Sequence, residues 1–194
     1  MRLFAASNAG PSALEAYALD VGNPPKLRCD ALEQLEVRVS RERLSPLLGK
    51  LLDLPGEEPL LRALSLVASR HEVAHEPKVC VLAGLLTSRA LAEAVPQALL
   101  ALGSRSEPAM IALVRSPWRS ARIAGIHELM AWGTVASVEA LLALDGQGAV
   151  GELAQVAART IQGRLSGAQA GGVSLVQEVD SGGAVSLAPL RDKA

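Results

Sequence analysis

What this chain lacks narrows it quickly. Among its 194 residues only four are aromatic: Phe4, Tyr17, Trp118 and Trp132. Strands draw on aromatic and β-branched side chains, so a β-sandwich or barrel is nearly excluded. Cysteine is scarce too. Cys29 and Cys80 are the only thiols; they make no disulfide framework and lack the paired C-x-x-C spacing of a zinc site. They read as free thiols within helices, kept in a reducing compartment. An excess of either charge is also missing, since 19 basic and 20 acidic residues leave a net charge of −1. No global field therefore draws the chain to nucleic acid or anionic lipid. No apolar run approaches the roughly 18 residues that span a bilayer, and Met1–Ala9 falls short of the apolar stretch of about 7–15 residues in a secretory signal. A cytoplasmic protein with no membrane attachment is expected.

What is present is alanine and leucine, 33 residues of each. Both are strong helix formers with low rotamer cost. Pro, Gly, Ser and Asp punctuate residues 11–165 into ten short segments whose apolar positions recur at three and four, as an amphipathic helix requires. The spacing predicts helices over 11–20, 25–39, 43–54, 58–70, 76–88, 90–103, 107–115, 117–132, 135–144 and 149–165. Short helices joined by short loops pack antiparallel, two at a time.

The second helices of these pairs share a frame. Leu27-Arg28 is followed by Ala31 four residues after Leu27, and by Leu35 eight after it. Ala121-Arg122 with Gly125 and Leu129 repeats the frame, as does Leu153-Ala154 with Ala157 and Ile161. Leu61-Arg62 with Ser65, and Ala94-Val95 with Ala98 and Leu102, are looser versions. The frame begins at 27, 61, 94, 121 and 153, giving steps of 34, 33, 27 and 32 residues. Such a period marks a helical solenoid. The small residue at the fifth position lets two helices approach closely.

This pattern resembles HEAT-type repeats, in particular the short bacterial kind grouped with the phycobilin-lyase-like repeats. Its best single match is Ser116-Pro117-Trp118-Arg119-Ser120-Ala121-Arg122-Ile123-Ala124-Gly125. The resemblance implies an all-α, right-handed α-solenoid of about five helical hairpins, in which Arg122 braces the neighbouring repeat. The third and fifth repeats have Val95 and Ala154 where that arginine would stand. The organisation expected is an amino-terminal arm over 1–10, the repeat domain over 11–165 and a Gly/Ser/Val-rich tail over 166–194. In the tail Gly172-Val173-Ser174-Leu175-Val176 and Ala184-Val185-Ser186-Leu187-Ala188 echo one another across Asp180-Ser181-Gly182-Gly183, which reads as a short β-hairpin. Residues 172–188 could then add strands to the sheet edge of a partner. Fifteen arginines against four lysines, with so much Ala and Gly, suit a GC-rich bacterial source.

Two constellations invite a chemical reading. All three histidines precede a glutamate, and His71-Glu72-Val73-Ala74-His75 spells H-E-x-x-H. On a helix that motif turns both imidazoles to one side for zinc, with Glu72 as base and Glu93 as the tempting third ligand. Glu76-Pro77 argues against it, because Pro77 disfavours helical geometry at Glu76. His71-Glu72 and His127-Glu128 also resemble the His-Glu pairs that hold two irons in deoxyhypusine hydroxylase, itself a HEAT-like solenoid. They lie 56 residues apart, and too few ligands converge for a di-iron centre. Solvated helix ends carrying His and Glu are expected instead. The second constellation is basic: Arg105, Arg115, Arg119 and Arg122, with only Glu107 among them. Trp118 stands beside Arg119, and Arg and aromatic side chains are enriched at binding hot spots. HEAT-like glycosylases grip DNA with comparable surfaces, which keeps nucleic acid as an alternative ligand.

No G-x-S-x-G or P-loop occurs, and neither cysteine has a histidine in a suitable setting. The expectation is a non-enzymatic protein–protein interaction module, an adaptor or regulatory scaffold, with no cofactor, no metal and no catalytic residue. Its partner-binding surface is expected at Arg115, Trp118, Arg119 and Arg122. A metal-dependent enzyme using the His-Glu pairs and a nucleic-acid binder using the arginines are the alternatives.

Overall fold

A computed structural model describes residues 9–168. Among these it forms ten α-helices and no strand. They are α1 (Pro11–Leu19), α2 (Pro25–Arg38), α3 (Arg41–Leu51), α4 (Glu57–Ser69), α5 (Glu76–Leu82), α6 (Arg89–Ala101), α7 (Glu107–Arg115), α8 (Arg119–Trp132), α9 (Val135–Leu142) and α10 (Ala149–Ala168). A single 3-10 turn, Val73–His75, precedes α5. The β-hairpin expected within 172–188 lies outside the described residues; of the tail expected over 166–194, residues 166–168 continue α10.

Each odd-numbered helix packs on the even-numbered helix after it. The even-numbered helices also pack in a row, α2 on α4, α4 on α6, α6 on α8 and α8 on α10; α1 meets α3, and α5 meets α7, which meets α9. One apolar core runs through all of them, from Leu14 and Leu35 through Leu64, Leu99 and Leu113 to Ile161. Each fully buried leucine contributes about 1.5–3 kcal/mol. Supply of that burial by neighbouring pairs is what allows helices of only seven to fourteen residues, α10 apart, to hold.

The small residue of the repeating frame lies in the packing seam. Ala31, Ala98, Gly125 and Ala157 are all buried, as are Leu35, Leu102, Leu129 and Ile161 four residues later. In α4 the frame sits two residues earlier than the sequence spacing placed it. Ser65 is exposed, whereas Pro59, Ala63 and Val67 are buried. Arg62 consequently does not match Arg28 or Arg122 in position; it reaches back to Glu36 at 2.7 Å.

Loop chemistry joins successive pairs. Ser88 Oγ donates to Glu57 at 2.6 Å, Ser104 Oγ to Glu76 at 2.6 Å, and the Thr134 backbone N–H to Glu107 at 2.8 Å. In each case an acid at the first position of one helix meets a Ser or Thr in the connection 27–31 residues later. The other helix ends are joined similarly. Arg70 donates to Glu36 O at 3.1 Å, His71 Nδ1 to Ala101 O at 2.8 Å, and Arg164 to Met130 O at 3.0 Å and Ala131 O at 2.6 Å. Side-chain donors at C-terminal carbonyls satisfy orphan acceptors, and the two arginines also complement the helix dipole.

Several boundaries differ from the expected ones. α5 ends at Leu82, because Ala83, Gly84 and Leu85 turn tightly onto the carbonyls of Val79 and Cys80, Val81, and Leu82. α8 begins at Arg119, since Pro117 and Trp118 belong to the turn and Trp118 is the extended N-cap.

Candidate functional site

The H-E-x-x-H stretch does not form an α-helix. α4 stops at Ser69, and His71 adopts a left-handed backbone with φ 51°. The His71 N–H returns to Ala68 O and the Glu72 N–H to Val67 O, closing a Schellman motif with histidine where glycine is usual. The two imidazoles are thereby parted. His71 is exposed against Ala101 O, whereas His75 is buried with Nε2 3.0 Å from Ser45 Oγ.

The expectation of solvated helix ends is corrected here, since Glu72 and His75 are both buried. Their polar groups are satisfied by α3: Arg41 Nε donates to Glu72 Oε1 at 2.7 Å and Ser45 Oγ to Glu72 Oε2 at 3.0 Å. The single Ser45 proton is spent on the carboxylate, so His75 Nε2 must donate to Ser45 Oγ. An imidazole that donates to the hydroxyl cannot remove its proton, and the group is a buried structural network rather than an activated serine. Among the described residues, no three His, Cys, Asp or Glu side chains gather where they could hold a metal. The thiols are equally unsuited to chemistry. Burial raises the Cys80 thiol; burial, then Glu58, Asp30 and Glu33, raise that of Cys29. Thiolate is the nucleophile, so both are poor ones.

The basic cluster is dispersed by the fold. Arg115 is exposed and borders a groove of about 350 Å³ with Ala83, Leu86, Pro108, Ile111 and Pro117. Arg122 is half-buried and donates to Gln147 in the connection before α10, which ties α8 to the next helix pair. Trp118 and Arg119 stay together. With Arg89, Glu93, Ser120 and Ile123 they line a second groove, of about 500 Å³, between α6 and α8. Arg115, Arg119 and Arg122 thus have three different surroundings.

Trp118 is a fixed wall of the second groove. Its indole N–H donates to Leu86 O at 3.2 Å and its backbone N–H to Ser116 Oγ at 3.2 Å. Half-buried, it leaves part of the ring toward the groove. Arg119 is exposed and has no hydrogen-bond or ion-pair partner among the described residues. On the facing wall Arg89 and Glu93 pair with one another at 3.0 Å. Compared with protein-family models, with curated proteins and with solved structures, the chain matches none. Arg89 and Ile123 were not singled out from the sequence, and Glu93 entered there only as a third ligand for zinc. The i,i+4 spacing of Arg89 and Glu93 was readable there, but their position opposite Trp118 depends on how α6 packs on α8.

Proposed function

We propose that the chain is a right-handed α-solenoid of five HEAT-like hairpins and serves as a non-enzymatic protein–protein interaction module. Support for the solenoid comes from the pairwise packing, the row of even-numbered helices and the recurrence of the loop contacts. A repeat cannot bury its apolar face alone, and stacking creates a long surface suited to holding another macromolecule. The observation that carries the reading is the α6–α8 groove, where the fixed indole of Trp118 lies beside the exposed Arg119, which has no partner among the described residues. Aromatic and arginine anchors are what dominate interface energies. The free, half-buried thiols suit the cytoplasm as the place of action.

The test is capture of a partner from native lysate by the full chain, by Arg119→Glu and by Trp118→Ala. A partner held by the wild type should bind Arg119→Glu at least about tenfold more weakly, with unchanged helical circular dichroism. Equal retention by both variants and the wild type would remove this groove from the account.

A further inference from the structure

We infer that the groove between α6 and α8 takes an acidic protein segment, one that sets a carboxylate on Arg119 and an adjacent apolar side chain against Trp118 and Ile123. This rests on the reading of the groove as a partner-binding surface and adds the chemistry of the partner.

Charge decides the sign. Lining the groove are two arginines and one glutamate, and that glutamate is already paired with Arg89. Among the described residues the remaining guanidinium, Arg119, has no partner, and neither has Arg115 across the Ser116–Trp118 turn. A basic segment would share Glu93, the one carboxylate lining the groove, with Arg89 and would face Arg119 as a like charge. An acidic one gains a charge-assisted hydrogen bond, bidentate where the carboxylate meets the guanidinium edge-on.

Geometry decides the rest. Ile123 follows Arg119 by one helical turn, so the two stand on one side of α8. The indole of Trp118 is held in place by its bond to Leu86 O, so the apolar wall exists before binding and costs little to order. A volume of about 500 Å³ admits a few side chains of an extended or helical segment. Carboxylate and apolar side chain must therefore be near neighbours in the partner sequence.

The experiment is selection of short random peptides displayed on phage against the full wild-type chain and, in parallel, against Arg119→Glu. Arg119 is exposed, so the substitution leaves the fold intact, checked by circular dichroism. Enrichment of peptides pairing Asp or Glu with Leu, Ile or an aromatic residue, lost with Arg119→Glu and at least about tenfold weaker in raised salt, is the expected result. Neutral or basic winners that depend on Arg119 would overturn the acidic segment while leaving the groove as a binding surface. Winners indifferent to Arg119→Glu would overturn both. An absence of any enrichment, or duplex DNA bound in an Arg119-dependent way, would also overturn it.

Discussion

Gly125 of α8 sits directly against α7. A Cβ there would lie 2.8 Å from Met110 O, 3.0 Å from Leu113 Cβ and 3.1 Å from Val114 Cγ2. Neither the carbonyl nor two buried side chains can yield cheaply, so Gly125→Ala should destabilise the chain by about 1–3 kcal/mol despite alanine's better helix propensity. Urea unfolding measures this, and a stabilised variant would refute the close approach. Glu107 makes a different kind of joint. Burial alone would raise its carboxyl, but hydrogen bonds from Ser137 and Thr134 outweigh it and hold the group below the ordinary carboxylate range. A depressed folded-state pKa gives stability that is present above the unfolded value of about 4.3 and is lost as pH falls through the folded one. The wild type should accordingly be more stable than Glu107→Gln at neutral pH, by about 1 kcal/mol. That advantage should shrink as pH drops below about 4.3, which thermal unfolding of both chains across pH would show. An advantage independent of pH would mean that the carboxylate's charge is not what the hydroxyls recognise.

At the scale of elements, the connection between α4 and α5 departs most from its sequence reading. An H-E-x-x-H stretch suggests either a zinc helix or a solvated helix end, and the chain makes neither. The left-handed residue His71 stops α4, and the 3-10 turn then sends Glu72 and His75 inward to α3. Histidine is among the few residues besides glycine that enter this backbone region at all readily. Glu72→Ala removes the acceptor of Arg41 and of Ser45 from a buried site, and should cost about 2–3 kcal/mol in denaturant unfolding. Zinc should leave the melting temperature of the full chain unchanged, because one imidazole faces Ala101 O and the other is engaged by Ser45. A metal-induced rise would contradict that separation.

At the scale of the whole molecule, the main helix contacts among the described residues are between neighbours in sequence and between equivalent helices of adjoining pairs. In the helical-repeat array proposed above, stability is close to a sum of unit and nearest-neighbour terms. Its inner pairs are covered on both sides. Amide exchange should therefore be slowest in α4, α6 and α8 and faster in α1, α9 and α10, as hydrogen exchange read by mass spectrometry can show. Uniform protection from α1 to α10 would indicate a single cooperative unit instead.

Much of this architecture was legible in the residues themselves. Alanine and leucine at helical spacing, interrupted by Pro, Gly and Ser, determine where helices form, because propensity and capping act over a few neighbouring residues. The small residue of the frame was readable for the same reason in α2, α6, α8 and α10. In α4 the frame was misplaced by two residues, since Arg62 sits in sequence like Arg28 yet faces Glu36 instead of a forward loop. Periodicity along a helix says which residues share a side, but not which side meets a neighbour. That limit explains the candidate site. Four residues near one another in sequence, Arg115, Trp118, Arg119 and Arg122, turn to three different surroundings once α7, the turn and α8 are packed. Glu72 and His75 become buried only because α3 supplies Arg41 and Ser45 from 27–31 residues away. The helices and their pairing follow from local physics that the sequence alone determines. The groove, the buried polar network and the separation of the two imidazoles depend on long-range packing, where burial and hydrogen-bond satisfaction across adjoining pairs make the choice.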